Sequence, residues 1–330
     1  MEQLKGIHHV TAITSSAEKI YDFFTNILGM RLVKKTVNQD DIQTYHLFFA
    51  DDVGNPGTDM TFFDFKGIAK AKKGTNEIAR TSFRVASDRA LSYWVKRFNH
   101  YGIVHSSVET VFGRKVVYFE DFDEQAYALF SDESVSGVSA GIPWKKGPVP
   151  NEFAIIGLGP IFLRVNRLDA MDTVLSEHML MEKIANEGHL TLYVMGEGGN
   201  GASVIVEEDN ALPNAQQGYG SVHHVAFRIE DKKALDLWTD RLNMIGAPNS
   251  GFVERFYFKS LYTRLYREIL FEFATEGPGF MSDEETYETL GETLALPPKL
   301  KDHRSYIESV VRPIDTVRST KVFEKETYDD

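Results

Sequence analysis

The chain has 330 residues, 42% of them hydrophobic, with 48 acidic against 36 basic side chains and a net charge of −12. No basic block offers itself to phosphates, no apolar run approaches the roughly 20 residues of a membrane helix, and the N-terminus lacks the apolar core of a signal peptide. The absence of cysteine excludes disulfides and thiolate metal sites and leaves His, Asp and Glu as metal ligands, so the expectation is a soluble, cytoplasmic globular protein large enough for two domains.

The first element in the chain is the alternating run HHVTAIT (8–14), which passes through a Ser-Ser pair into helix-forming AEKIYDFF (17–24) and closes near Gly29. Shorter strand-like runs follow, ending with MTFFDF (60–65). The same layout recurs from SFRVASD (82–88), through a helix ending at FNHYGI (98–103), to QAYALFSD (125–132). It recurs again from IFLRVNRLD (161–169) to GASVIVEED (201–209). A last copy runs from HHVAFRIED (223–231), through a helix ending at RLNMIGA (241–247), to EILFEFAT (268–275). Together these predict four βαβββ modules of roughly 60–80 residues each. The stretch SVSGVSAGIPWKKGPVPNE (134–152), dense in Gly, Pro and Ser, reads as a linker. The predicted organisation is α+β, with an N-terminal domain of two modules (1–135), a linker (136–152), a C-terminal domain of two modules (153–280) and a helical extension (281–330) that contains LALPPKLKDHRSYIESVV (294–311).

Four of the ten histidines fall in two copies of His-His-Val, at 8–10 and 223–225, each opening a module. Successive side chains of a strand face opposite sides, so only one histidine of each pair can point to a face shared with the other pair. His9 shares a face with Thr11, and His224 with Ala226. A third ligand is offered by Glu272, which lies between Phe271 and Phe273 in an otherwise apolar strand. An unpaired carboxylate there would cost several kcal/mol, a conflict that coordination to a cation removes. Glu276, in the Gly-Pro turn that follows, is expected to face water. Aligning FFDF (62–65) with LFEF (270–273) gives Asp64 the module position of Glu272 and makes it a candidate fourth ligand. Two imidazoles and one carboxylate occupy one face of an octahedral metal and leave its other positions open.

Paired βαβββ modules of this kind resemble the vicinal oxygen chelate superfamily, whose curved mixed sheets form a cup around a metal. HHVTAIT, HHVAF, YFKSLY followed by ILFEFATEGPGF, and the tail LPPKLKDHR together resemble its hydroquinone ring-cleaving dioxygenases, the subgroup related to dichlorohydroquinone and methylhydroquinone dioxygenases. The resemblance implies Fe(II), with Mn(II) as an alternative, held by His9, His224 and Glu272. It implies nearby roles for His8, His223, Thr11, Arg255 and Tyr262 around an aromatic diol and O2, and it leaves room for a homo-oligomer. A neutral imidazole at 8 or 223 can take a phenolic proton, a guanidinium can stabilise developing negative charge, and a tyrosine hydroxyl can bond a substrate oxygen. Residues 255 and 262 have opposite parity, so both reach the cup only if a bend intervenes or if Arg255 lies on the loop before the strand. The stretch TRLYREILFE (263–272) lacks the Pro-Gly turn usual in the family, so its turn must form from ordinary residues. Two other activities suit the same fold: a redox-neutral glyoxalase-like lyase or isomerase using Zn or Ni, with Asp64 as fourth ligand, and a metal-free small-molecule-binding protein.

Overall fold

The computed structural model describes residues 3–283 and 285–328. Alternating runs, each followed by a helix start, build one unit four times. The first module comprises β1 (Ile7–Ile13), helix α1 (Ala17–Asp22) continued by a π-helical turn (Phe23–Ile27), β2 (Arg31–Asn38), β3 (Asp41–Ala50) and β4 (Asp59–Phe63). The second comprises β5 (Glu77–Val85), α2 (Asp88–Tyr101), β6 (Glu109–Val111), β7 (Arg114–Glu120) and β8 (Ala126–Ser131). A short strand β9 (Ile155–Leu158) precedes the third, which comprises β10 (Ile161–Val165), α3 (Leu168–Asp172) with its own π-helical turn (Thr173–His178), β11 (Glu182–Glu187), β12 (Leu190–Val194) and β13 (Ser203–Glu208). The fourth comprises β14 (Ser221–Ile229), α4 (Lys232–Met244), β15 (Val253–Glu254), β16 (Lys259–Tyr266) and β17 (Ile269–Thr275). The helices of the first, second and fourth modules start with one device. Side-chain oxygens of Ser16, Ser87 and Asp231 accept the backbone N–H of Lys19, Ala90 and Ala234, donors that the first helical turn leaves unpaired.

The modules do not pair in chain order. Strand β1 runs antiparallel to β14, with Thr11 opposite His224, and β5 runs antiparallel to β10. One sheet, ordered β15-β16-β17-β14-β1-β4-β3-β2, therefore joins modules 1 and 4; the other, ordered β11-β12-β13-β10-β5-β8-β7-β6 with β9 on β5, joins modules 2 and 3. The expected grouping of modules 1 with 2 and 3 with 4 is replaced by an outer and an inner pair. Within each module the first strand lies parallel to the last, as β1 does to β4 and β14 to β17, which leaves the other edge of each first strand with unpaired N–H and C=O groups. Those edges satisfy each other. Nor is the Gly/Pro-rich segment a free spacer: Val138 N–H donates to Gly198 O, Gly141 N–H to Ile156 O, and Ile142 N–H to Asp51 Oδ2. At Gly137 the approach is so close that an added Cβ would lie 2.1 Å from the Gly198 carbonyl oxygen.

Among its described residues the extension is helical in two 3₁₀ segments (Tyr287–Thr289 and Pro298–His303) and in α5 (Arg304–Val310). Two buried cations tie it down. Lys34 Nζ, fully buried, lies 2.7 Å from Asp283 Oδ2 and 2.5 Å from Glu285 Oε2, and buried Arg97 reaches Glu326 Oε2 at 2.8 Å and Tyr328 Oη at 3.0 Å. Polar pairing, where helix was expected, thus holds this segment against module 1 and α2. Among the described residues no helix is long and apolar enough to cross a membrane.

Candidate metal centre

Strands β17, β14 and β1 lie side by side, and their register brings three side chains to one point. His9 Nε2 and His224 Nε2 are 3.3 Å apart, and Glu272 Oε2 lies 3.2 Å from the first and 3.0 Å from the second. All three residues are buried. Electron-pair donors at this spacing form the edges of a coordination shell of about 2 Å radius. Ser260 Oγ donates to Glu272 Oε1 at 2.5 Å, whereas Oε2 is left without a hydrogen-bond donor although two imidazoles surround it. Burial disfavours the carboxylate, but His9 and His224 outweigh it and hold Glu272 well below the usual carboxylate range. An ionised, buried oxygen without a donor, facing two imidazole nitrogens, fits a divalent cation between them.

The first histidine of each pair stands behind a ligand candidate, and the two differ. His8 Nε2 donates to the Thr275 carbonyl at 3.0 Å, which leaves its Nδ1 to accept the His9 Nδ1–H at 2.9 Å and presents the His9 Nε2 lone pair at the centre. His223 Nδ1 lies 2.8 Å from His224 Nδ1, but its Nε2 has no hydrogen-bond partner among the described residues, and the ring lines a cavity. Burial first, and then the adjacent His9 or His224, lowers the pKa of both His8 and His223 to about 3, so both rings are neutral.

Thr11 Oγ1 lies 3.1 Å from His224 Nε2 and 2.7 Å from Thr61 Oγ1, and Thr61 continues to His46 Nε2 at 3.0 Å. Thr11 stands opposite Thr61 as Ala226 stands opposite Glu272, so Thr61, not Asp64, holds the counterpart position of Glu272. Asp64 lies past the end of β4, where it accepts the Tyr45 N–H at 2.7 Å and sits 3.7 Å from Arg312; burial raises its pKa to about 6. Matching FFDF to LFEF had slipped the register by three residues, because local composition does not reveal which residues face each other across strands. Glu276, expected to face water, is half-buried and pairs with Arg228 Nη2 at 2.7 Å.

Arg255 lies on the loop between β15 and β16, which removes the parity conflict with Tyr262. Its Nε donates to Tyr262 Oη at 3.2 Å and its Nη2 lies 3.0 Å from Asp40 Oδ2, while Tyr262 stands opposite Glu272. The turn without Gly or Pro is a two-residue hairpin formed by Arg267 and Glu268, with Tyr266 opposite Ile269. A cavity of 340 Å³ opens above the centre, walled by Phe48, Phe63, Tyr257 and Phe258, with His9, His46, His223, His224, Arg255 and Tyr262 among its polar groups; His8 and Thr11 are not part of its lining. It lies at the low end of ligand pockets and suits a single ring. Three residues at this site escaped the sequence reading: Thr61, His46 and Ser260. Only Ser260 carried a signal, the parity that puts it on the face of Tyr262.

A family model described as the Glyoxalase/Bleomycin resistance protein/Dioxygenase superfamily matches residues 6–129. The chain is 43% identical over 317 residues to the "Putative ring-cleaving dioxygenase MhqA" of Bacillus subtilis (strain 168), covering 94% of this chain and 99% of that one. It is 31% identical over 308 residues to the chlorohydroquinone/hydroquinone 1,2-dioxygenase of Sphingobium indicum, covering 91% and 94%. The crystal structure of a "putative dioxygenase" from Bacillus subtilis subsp. subtilis str. 168 matches with a TM-score of 0.88 at 33% identity, covering 96% of this chain and 99% of that one. Glyoxalase I from Zea mays shares the fold alone, with a TM-score of 0.58 at 13% identity over 84% and 93% of the two chains. The chain belongs to the glyoxalase/bleomycin resistance protein/dioxygenase superfamily and, within it, to the ring-cleaving dioxygenases.

Proposed function

We propose that the protein is an Fe(II)-dependent dioxygenase that opens the ring of a hydroquinone beside a hydroxyl-bearing carbon to give a linear acid. One observation carries this reading: a three-donor set has the hydroxyl of Thr61 where a carboxylate would complete a four-ligand set, and it lies under an aromatic cavity. When bound, the metal supplies a place where a diol oxygen and O2 meet and electron density passes from ring to oxygen. The chain's own groups do the rest. Phe48, Phe63 and Phe258 hold the ring by its faces and exclude water. Tyr262 Oη, oriented by Arg255 Nε, donates to the substrate oxygen nearest Glu272, and the guanidinium stabilises phenolate charge. His223, whose Nδ1 accepts the His224 Nδ1–H, presents its Nε2–H to the cavity and donates it to a substrate oxygen. His8, bound at both nitrogens, fixes the orientation of His9 instead.

Loading the metal-free protein with Fe(II) under anaerobic conditions, then adding methylhydroquinone and O2, tests the reading. Substrate-dependent O2 uptake is expected. Tight binding of Zn or Ni with no uptake on Fe(II) loading would replace it with a redox-neutral lyase, and failure to retain any metal would replace it with a small-molecule-binding protein.

A further inference from the structure

The cavity has a second polar wall, contributed by module 1. Tyr262 on β16 borders the three ligand strands on one side; on the other, beyond β4, lies β3 with His46. The His46 ring is held between Phe48 and Phe63, with ring centroids 4.0 and 4.4 Å away, and its Nε2 meets Thr61 Oγ1. Its Nδ1 has no hydrogen-bond partner among the described residues, and the ring lines the cavity. Thr36, directly opposite His46 across the β2/β3 ladder, also lines the cavity; it is 3% exposed and its Oγ1 hydrogen-bonds nothing. Buried polar groups are normally satisfied. A buried, unsatisfied Thr36 hydroxyl beside an unpartnered imidazole nitrogen on the wall of an aromatic cavity marks a place for a ligand oxygen.

The hydroxyl chain fixes what His46 offers. With the His224 Nε2 lone pair committed to a metal, Thr61 Oγ1 is the protein acceptor left to the Thr11 hydroxyl. The Thr61 proton then goes to His46 Nε2, and the neutral ring carries its own proton on Nδ1. We propose that His46, with Thr36 beside it, forms a subsite for the hydroxyl of a para-diphenol that lies away from the metal ligands, with His46 Nδ1–H donating to that oxygen. This deepens the reading of His9, His224 and Glu272 as a metal centre for a diol and rests on it. A phenolic hydroxyl both accepts and donates, so it answers His46 and has a proton for Thr36. The second hydroxyl of a catechol, being ortho to the first, stays beside the ligands and leaves both groups unpaired.

Equilibrium binding to the Fe(II)-loaded protein under anaerobic conditions, with hydroquinone and phenol as probes, tests this. The wild type should prefer hydroquinone by about 10-fold or more, the size expected when a buried polar group loses its partner. His46→Phe, which keeps the ring stack and loses the donor, should bind phenol unchanged within about twofold and lose most of the preference. His46→Gln, which keeps a donor, should recover part of it. Equal binding of the two probes by the wild type, or a preference undiminished in both His46→Phe and His46→Gln, would overturn the subsite. A retained preference in a wild type that consumes no O2 would instead sink the ring-cleaving reaction and leave the subsite in place.

Discussion

Glu272 is a fully buried carboxylate with one oxygen bound to Ser260 and the other facing two imidazoles. Ser260 therefore sets which oxygen points at the metal. Ser260→Ala should weaken metal binding by about 10–100-fold, measured by competition with a chromogenic chelator, while leaving the fold intact. The two outer histidines should separate in turnover. His8→Ala removes the acceptor that orients His9, so metal affinity should fall by a similar factor. His223→Ala removes the matching acceptor of His224 and should also weaken the metal, but at saturating metal it alone should lose turnover, because His223 lines the cavity and His8 does not; full turnover of metal-saturated His223→Ala would contradict the different roles given to them. That Glu272 and the repeated His-His pairs meet was legible in the chain, since a charge inside an apolar strand and a duplicated tripeptide both stand out. Thr61, His46 and Ser260 did not stand out. Thr61 and Ser260 are short, uncharged residues and His46 is a single imidazole outside the repeated pairs, so apart from the parity of Ser260 their importance comes from register, which is a property of two strands together.

Across the elements, one arginine recurs. Arg84 on β5 pairs with Asp132 after β8 at 2.7 Å, Arg164 on β10 with Glu207 on β13 at 2.9 Å, and Arg228 on β14 with Glu276 after β17 at 2.7 Å. Each pair ties the first strand of a module to the end of its last strand, so it holds the parallel pair on which the cup is built. The pairs are not equal, because Arg84 is buried and also donates to the Val138 and Ser139 carbonyls. Arg84→Met takes from Asp132 its cationic partner, leaving it the Asn200 Nδ2–H, removes the guanidinium donors of those carbonyls, and should cost about 3 kcal/mol in urea unfolding. Arg167→Met, at an ion pair whose side chains are 67% and 70% exposed, should leave the urea midpoint unchanged. The arginine was visible in VAFRIED, SFRVASD and IFLRVNRLD as part of the repeat that revealed the modules. Which module pairs with which was not, because any open first-strand edge presents the same backbone groups and partner choice depends on long-range side-chain fit.

At the scale of the whole molecule, outer-with-outer pairing makes the centre a property of both chain ends, since His9 comes from module 1 while His224 and Glu272 come from module 4. It also means that neither half of the chain contains a complete sheet. Cutting in the segment 136–152 would give a fragment with β1 and β5 exposed and another with β10 and β14 exposed, each with the edges that normally face its partner. The buried pairs Lys34–Asp283 and Arg97–Glu326 would be severed as well, leaving uncompensated charges on both pieces. Residues 1–135 and 136–330, expressed separately, should therefore show no cooperative thermal transition and no stabilisation by added divalent metal. Refolded together, they should recover one transition whose midpoint rises with metal, because an ion that binds the assembled centre and not the separate pieces stabilises the assembly by mass action. Cooperative melting of either fragment alone would mean that the modules of one half can satisfy each other's strand edges, and the dependence of the centre on both chain ends would then rest on the ligands and not on the sheets.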